Sequence, residues 1–409
     1  MTIDATAERA YARALDTADP LRGFRDRFLV PEPDLVYLDG NSLGRPPIAT
    51  RERLERLVAD EWAGDLIRGW DRWLDLPERV GDLIAATILG ARQGEVIVSD
   101  STTVNLFKLA AAALETVPER RTVVIARDEF PTDRYVLEGL ARTSSVNVRW
   151  IDGDPVEGPR PADVADALDG DVALIVLSLV NYRSAAIADL PGITAFARDA
   201  GAFVLWDLSH AAGSIPVHLN RDGADLAVGC TYKYLNGGPG SPAFLYLRRD
   251  LQERLRNPIQ GWFGQRDQFL MGPEYEPAPG IRSWLTGTAG IPALLAIEEG
   301  VRLVGEAGIE VIRAKGIALT GFAIQLHDAW LAPLGFSLGS PRDPSRRGAH
   351  VAIRHPKARE LTARLIDRGV VPDFREPDSI RLGMSPLTTS FDDIWQGLSV
   401  LRELAGGAA

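Results

Sequence analysis

The chain has 409 residues, 45% of them hydrophobic and 25% charged, which is ordinary globular composition and enough length for two or three domains around a large core. A formal net charge of −11 favours solubility and repels phosphate backbones, which excludes nucleic acid as a partner. Cys230 is the one cysteine, so neither an intrachain disulfide nor a thiolate metal cluster can form, and the five scattered histidines argue against a metal site.

Residues 1–20 lack the apolar stretch of a signal peptide and the Arg/Ser bias of a transit peptide. Within them, 5–18 have the spacing of an amphipathic helix. Val36-Tyr37-Leu38 is a short strand, followed by Asp39-Gly40-Asn41-Ser42-Leu43-Gly44, a turn dense in residues that tolerate positive φ. Pro46-Pro47 then opens toward a helix over 50–62. From 95 onward strands and helices alternate. Strands are predicted over 95–98, 123–125, 146–151 and 172–179, with helices over 104–114, 132–142, 161–168 and 191–200. Gly201 stops the last of these helices. Two further strands carry Val204-Leu205-Trp206-Asp207 and Cys230-Thr231-Tyr232-Lys233-Tyr234-Leu235, and 243–247 follows. Continuous apolar strands separated by helices predict an α/β fold with a mainly parallel sheet covered on both faces. After about residue 280 the pattern changes to helices over 291–305 and 311–330, strands over 349–353 and 379–382, and a helix over 358–368 between them. The expected division is a large domain over 51–285 and a smaller α+β domain from 1–50 and 286–409, with the tail from 405 frayed. No run of about 18 uncharged apolar residues occurs, so no membrane span is expected, and a cytoplasmic enzyme fits these limits.

Asp207 closes one apolar strand and Lys233 the next, 26 residues on, the length of one crossover. The carboxyl ends of strands are where open α/β sheets bind ligands. An Asp and a Lys facing one pocket are what pyridoxal phosphate needs: the Asp keeps the pyridinium nitrogen protonated and the Lys forms the Schiff base. An ordinary buried Asp beside a helix cap is the plainer reading of Asp207. Tyr232 points to the opposite face from Lys233 if the strand persists, and it either reaches the phosphate or acts as an acid. His210 either bonds Asp207 or the cofactor ring oxygen, or fills core. Thr102 and Thr103, between a strand and a helix, either cradle a phosphate with backbone N–H groups or simply cap the helix. Phe130, in Phe130-Pro131-Thr132-Asp133, either stacks on the pyridine ring or packs in the core. Asn236-Gly237-Gly238-Pro239-Gly240 is a tight loop that lets backbone approach a ligand. Gly261-Trp262-Phe263-Gly264 and Trp284-Leu285-Thr286-Gly287-Thr288 suit a ligand wall or a subunit contact. Arg381, on a late strand, either clamps a substrate carboxylate or forms a structural salt bridge. The phosphate-loop, zinc-protease, dinucleotide and nucleophile-elbow motifs are absent.

With Gly40-Asn41-Ser42-Leu43-Gly44, Thr103-Val104-Asn105-Leu106, Asp207-Leu208-Ser209-His210 and Tyr232-Lys233-Tyr234-Leu235-Asn236 in order, together with the Phe130 and Trp262 motifs, the chain resembles the kynureninase family from about Tyr37 to beyond Arg381. The resemblance implies a fold-type-I pyridoxal-phosphate enzyme that hydrolyses L-kynurenine to anthranilate and L-alanine. It implies Lys233 as the Schiff-base lysine, Asp207 on the ring nitrogen and His210 near the ring oxygen. Thr102, Thr103, Tyr232, Trp262 and Thr288 would hold or line the phosphate. Phe130 would lie on the ring, with Asp133 and Ser178 close by. Arg381 would bind the substrate α-carboxylate near Asn41 and Ser42. Trp70, in Ile67-Arg68-Gly69-Trp70, would line the aryl pocket, and the residues near Trp70 and Thr288 favour kynurenine over its 3-hydroxy form. Family members are homodimers with shared sites, so Trp262 and Thr288 are expected to act in the partner's site. One departure is Ala185-Ala186, after Asn181-Tyr182-Arg183-Ser184, where the family pattern leads to a glycine. The pathway implied is tryptophan degradation, with nicotinamide synthesis or a specialised route using a modified kynurenine as other settings. Within the same fold, a cysteine desulfurase needs a thiol on a mobile loop, whereas Cys230 falls in a strand; an aminotransferase is the other rival.

Overall fold

The computed structural model describes residues 8–407. The first predicted helix begins at 5, so part of it lies outside the described residues; Arg9–Ala18 is helical. A short strand, β1 (Val36–Tyr37), precedes the main sheet. The sheet is built from β2 (Val96–Ser99), β3 (Thr122–Ala126), β4 (Asn147–Ile151), β5 (Val172–Ser178), β6 (Phe203–Asp207), β7 (Leu226–Gly229) and β8 (Ala243–Leu247), in the order β2-β8-β7-β6-β5-β3-β4. The pairs from β7 across to β4 are parallel, while β8 runs antiparallel to both β2 and β7.

Valine, isoleucine and leucine fill the central strands because both faces are covered. Side chains alternate between two cores. Val124, Ile175, Leu177, Val204 and Trp206 face one, and Val123, Ile125, Leu174, Val176 and Leu205 the other. The helix Leu190–Asp199 packs on the first face through Ile193 and Ala197, joined by Ile291–Ala307 through Leu294 and Ile297. The helices Thr102–Thr116 and Pro131–Thr143 cover the second through Leu106, Leu109 and Leu137.

A second sheet holds β9 (Ser337–Leu338), β10 (His350–Arg354), β12 (Asp373–Arg375) and β13 (Ser379–Gly383) in the antiparallel order β12-β13-β10-β9. Between them, β11 (Val370–Val371) pairs in parallel with β1. Val36, Leu38 and Ala12 therefore belong to the same core as Phe322, Ile353, Leu361 and Leu398. The final helix, Phe391–Gly406, runs on past the point where fraying was expected, because Leu404 is still buried in that core.

The strand expected to carry Lys233 is displaced. β7 stops at Gly229, and Cys230 to Leu235 form a loop. Thr231, Tyr232 and Tyr234 have strong strand preference, but their backbone bonds go elsewhere. The Tyr232 carbonyl accepts from the Gly44 N–H (2.8 Å) and the Thr231 carbonyl from the Gly237 N–H (2.9 Å). Glycines clasp this loop. A Cβ at Gly44 would lie 2.3 Å from the Lys233 carbonyl, and one at Gly300 2.0 Å from the Leu235 carbonyl.

Gly300 lies inside the helix Ile291–Ala307, where alanine would ordinarily stabilise by about 1 kcal/mol. Here Gly300→Ala is expected to destabilise by roughly 1–3 kcal/mol, because the methyl group must displace the Leu235 backbone. A lowered urea midpoint with an unchanged slope checks this; a raised midpoint contradicts it.

Candidate active site

β5 and β6 end side by side, with Ser178 opposite Asp207 in register. Beyond their carboxyl ends is a cavity of about 540 Å³. Of the residues singled out from the sequence, Thr102, Thr103, Phe130, Asp133, Ser178, Asp207, His210, Tyr232, Lys233 and Thr288 line it. Asn41, Ser42, Trp70, Trp262 and Arg381 do not.

One end of the cavity is acidic. Asp207 accepts a 2.7 Å hydrogen bond from the Ser209 N–H. Asp133 is buried, and its carboxyl has only that of Asp207 as a hydrogen-bonding neighbour. Burial, then the charges of Asp207 and Glu129, push its carboxyl well above the usual range. Glu129, which the sequence reading passed over, is buried behind them; Oε1 accepts from the Ser178 N–H (2.9 Å) and Oε2 meets the Ser178 hydroxyl. Burial raises the Glu129 carboxyl from 4.5 to about 7. Glu129 lies three residues beyond the carboxyl end of β3, as Asp207 lies at the carboxyl end of β6, and that position is the available signal.

The facing end carries the amine. Lys233 Nζ lies 2.9 Å from His210 Nε2. His210 therefore partners Lys233, the one neighbour not considered for it from spacing. Burial, aided by the positive charge of Lys233, keeps the His210 imidazole well below its ordinary value and so neutral. Its Nδ1 has no partner. Because the strand does not persist through 230–235, Tyr232 faces the same cavity as Lys233 and not the opposite side. Burial raises its phenol, which stays protonated and able to donate.

Thr102 and Thr103 are the first two residues of their helix, with Ser101 as its cap, its hydroxyl accepting from the Val104 N–H. The first N–H groups of a helix lack intrahelical partners and favour an anion. The preceding Asp100 (φ 51°) is held by Lys108, a fully buried lysine whose Nζ donates to Asp100 Oδ2 and to the Trp284 carbonyl, each at 2.8 Å. Thr286 also bonds Asp100 at 3.0 Å. Lys108 thus ties the helix start to the loop that brings Thr288 to the cavity. No motif around Lys108 distinguishes it.

Arg381 is buried outside the cavity and is largely engaged. Nη1 donates to the Tyr182 carbonyl (2.6 Å), and Nη2 to Ser42 Oγ (2.9 Å) and Asp373 Oδ2 (2.5 Å). With the Asn41 amide turned so that its oxygen faces Nε, that contact is 2.9 Å. Trp70 packs edge-on against Trp73 (5.8 Å) and Phe263 (5.9 Å). It lines a second, mostly apolar cavity of about 500 Å³ that shares Thr288 and Gly290 with the first. Trp262 is 40% exposed and edges onto Phe263. Cys230 is buried and its thiol is pushed up by burial, the reverse of a poised nucleophile.

A flat cation with an anionic tail fits this cavity. Its ring N–H would meet the carboxylate of Asp207, backed by Asp133, and its tail the helix start at Thr102. Together with the mainly parallel sheet, that is the make-up of a pyridoxal-phosphate enzyme of fold type I. Residues 78–353 match the family profile described as "Aminotransferase class-V". The fold superposes on a cysteine desulfurase from Thermococcus onnurineus NA1 with a TM-score of 0.80 at 18% identity, covering 91% of this chain and 95% of that one. A cysteine desulfurase of Escherichia coli gives 0.79 at 16% identity, with 94% and 98% covered. At such identities the likeness concerns the fold alone.

Residues 312–401 match the profile "Kynureninase C-terminal domain". The kynureninase of Pseudomonas fluorescens is 42% identical over 399 residues, 96% of this chain and 94% of the relative. That of Burkholderia pseudomallei strain K96243 is 42% identical over 404 residues, 97% and 95%. The chain belongs to the kynureninase family, and its cofactor is pyridoxal phosphate.

The Glu129 carboxyl generates a stability test on the apoprotein. Its folded-state pKa is raised, so between pH 4.5 and about 7 the unfolded chain loses this proton while the folded chain keeps it. Stability then falls as pH rises through that window and levels off above it. Glu129→Gln keeps an acceptor for the Ser178 N–H and removes the ionisation. Its stability relative to the parent is expected to improve steadily from pH 4.5 to 7, as read by denaturant midpoints; a parallel pair of pH profiles contradicts this.

Proposed function

We propose that this chain hydrolyses L-kynurenine to anthranilate and L-alanine in tryptophan degradation, and that it also accepts 3-hydroxykynurenine less readily. The observation that carries the reading is the meeting of Lys233 with Asp207 and Asp133 on one cavity in a chain of this family. Bound pyridoxal phosphate supplies an electron sink for the negative charge that develops on the substrate carbons. Asp207, backed by Asp133, holds the proton on the ring nitrogen. Lys233 would hold the cofactor through Nζ, and its amine moves the substrate's Cα proton. His210 aims that amine. Thr102 and Thr103 receive the phosphate on their N–H groups and hydroxyls, with Ser178 and Thr288 beside them and Phe130 against the ring. Tyr232, protonated at neutral pH, is the acid that serves the γ-carbonyl oxygen as water adds. Trp70 walls the aryl group. Arg381, with Asn41 and Ser42, turns toward the α-carboxylate.

The working unit in this reading is a cytoplasmic homodimer with shared sites, in which Trp262, outside its own subunit's cavity, serves the partner's cofactor. Supporting this, Trp62, Leu66 and Ile67, exposed by 57%, 63% and 77%, rim the second cavity beside Thr288. In each subunit a large and a small domain flank the cavity, with the helix Ile291–Ala307, expected in the small domain, packed on the large sheet. Among the described residues no helix is long and apolar enough to cross a membrane, and no cluster of His, Cys, Asp or Glu is placed to hold a metal ion.

Anthranilate fluorescence from purified protein given kynurenine and 3-hydroxykynurenine side by side tests the function. Kynurenine is expected to be the better substrate, and Lys233→Ala to abolish turnover. Sulfide release from cysteine, or steady keto-acid-dependent amino transfer, in place of anthranilate would overturn the reading. For the dimer, Ile67→Asp is expected to shift sedimentation toward monomer and to reduce turnover with it; an unchanged sedimentation coefficient contradicts the interface.

A further inference from the structure

Arg381 has little left to offer a substrate. Of the five N–H donors of a guanidinium, one faces Asn41, one goes to Tyr182, and two go to Ser42 and Asp373. An incoming carboxylate would find a single free N–H there, and a two-point hold needs a second donor.

His350 can supply that donor. It opens β10, and β10 pairs with β13 so that His350 lies opposite Gly383 and Ala352 opposite Arg381. His350 and Arg381 therefore project from the same face of the small sheet. The ring is fully buried; the Arg183 carbonyl holds one nitrogen loosely, and the other nitrogen has no partner. Its centroid is 5.4 Å from that of His210, which in turn meets Lys233 Nζ. Burial, with Arg381 and Lys233 nearby, keeps the imidazole neutral, with an N–H that the Arg183 carbonyl holds only loosely and that a carboxylate would draw away. A buried polar ring so poorly partnered disfavours folding, so a position with no use for it would be apolar.

We propose that His350 is a binding residue for the substrate α-carboxylate, completing with its ring N–H the hold that Arg381 alone cannot make. This rests on the reading that the substrate amine enters at Lys233 with its carboxylate toward Arg381. The test is a titration of the holoenzyme with L-alanine and with L-alaninamide, which lacks the carboxylate, followed by the cofactor's visible absorbance. His350→Leu is expected to weaken L-alanine binding by about tenfold or more, in line with loss of a hydrogen bond to a charged group, and to leave L-alaninamide within about twofold. His350→Gln, which retains an N–H donor, is expected to recover most of the loss. The KM for kynurenine should rise with L-alanine's Kd while kcat changes little. Apoprotein carrying His350→Leu should unfold at the same or a higher temperature. Equal losses for alanine and alaninamide, or unchanged alanine binding with a lower unfolding temperature, would overturn the proposal. Should His350→Leu not fold, His350→Met carries the same comparison. The titration reads the carboxylate subsite even if no anthranilate is formed, so failure of this inference and failure of the proposed activity are separable.

Discussion

Asp133 imposes the constraint around which the site is built. A buried carboxyl group whose one hydrogen-bonding neighbour is another acid is unfavourable as an anion, and here it lies among acids, with Asp207 on one side and Glu129 behind. Three parallel strands converge to make this arrangement. β3 leads into Glu129 and the helix carrying Asp133, β5 ends on Ser178, and β6 ends on Asp207. Ser178 satisfies Glu129 with both its N–H and its hydroxyl, so the crowding of acids is left to Asp133 and Asp207, at the wall of the cavity. A cationic ring N–H relieves it. The sheet thus stores an electrostatic deficit at the point where the cofactor's ring nitrogen belongs.

The opposite side is cationic and is assembled across the molecule. Lys233 sits on a loop, and its position depends on backbone clasps from Gly44 and Gly300 more than on a strand. Arg381 belongs to the small sheet, yet it bonds to the Tyr182 carbonyl after β5 and to Ser42 after β1. Asp373 balances it and also Arg375, whose Nε is 2.8 Å away. Between Lys233 and Arg381 lie two neutral imidazoles, His210 and His350. Neutral rings fit there because a third and fourth positive charge in a buried space would be repelled. The cavity therefore runs from fixed negative charge to fixed positive charge, which orients a cofactor and an amino acid end to end.

Much of this was legible in the sequence, for identifiable reasons. Apolar strands at regular spacing gave the parallel sheet, and a polar residue ending such a strand marked Asp207 and Ser178. Direction was not legible: nothing in Ala243–Leu247 distinguishes the antiparallel β8 from its neighbours, because burial on both faces erases the usual alternation. Lys233 was assigned to a strand because Thr and Tyr favour strands, whereas tertiary hydrogen bonds to Gly44 and Gly237 decide its backbone. Lys108, Glu129 and His350 escaped notice because each is defined by what it meets in space. Lys108 meets Trp284, Glu129 meets Ser178 and His350 meets His210, each pair far apart in the chain.

The departure at Ala185 belongs to the same logic of enforced geometry. Its φ is 66°, a left-handed conformation that costs an L-residue about 1–2 kcal/mol and that glycine adopts freely. The chain nevertheless holds it there. Ala185 N–H bonds the Asn181 carbonyl, Asn181 N–H bonds the Ala186 carbonyl, and the Ala185 carbonyl accepts from Gly348, two residues before His350. This closed turn presents the Tyr182 carbonyl to Arg381 and joins the end of β5 to the start of β10. An alanine tolerated at a glycine-type position shows how many bonds over-determine the turn. Its rigidity matters because the turn sets the spacing between the sheet that carries the acids and the sheet that carries Arg381, and hence the length of amino acid that can reach from one to the other.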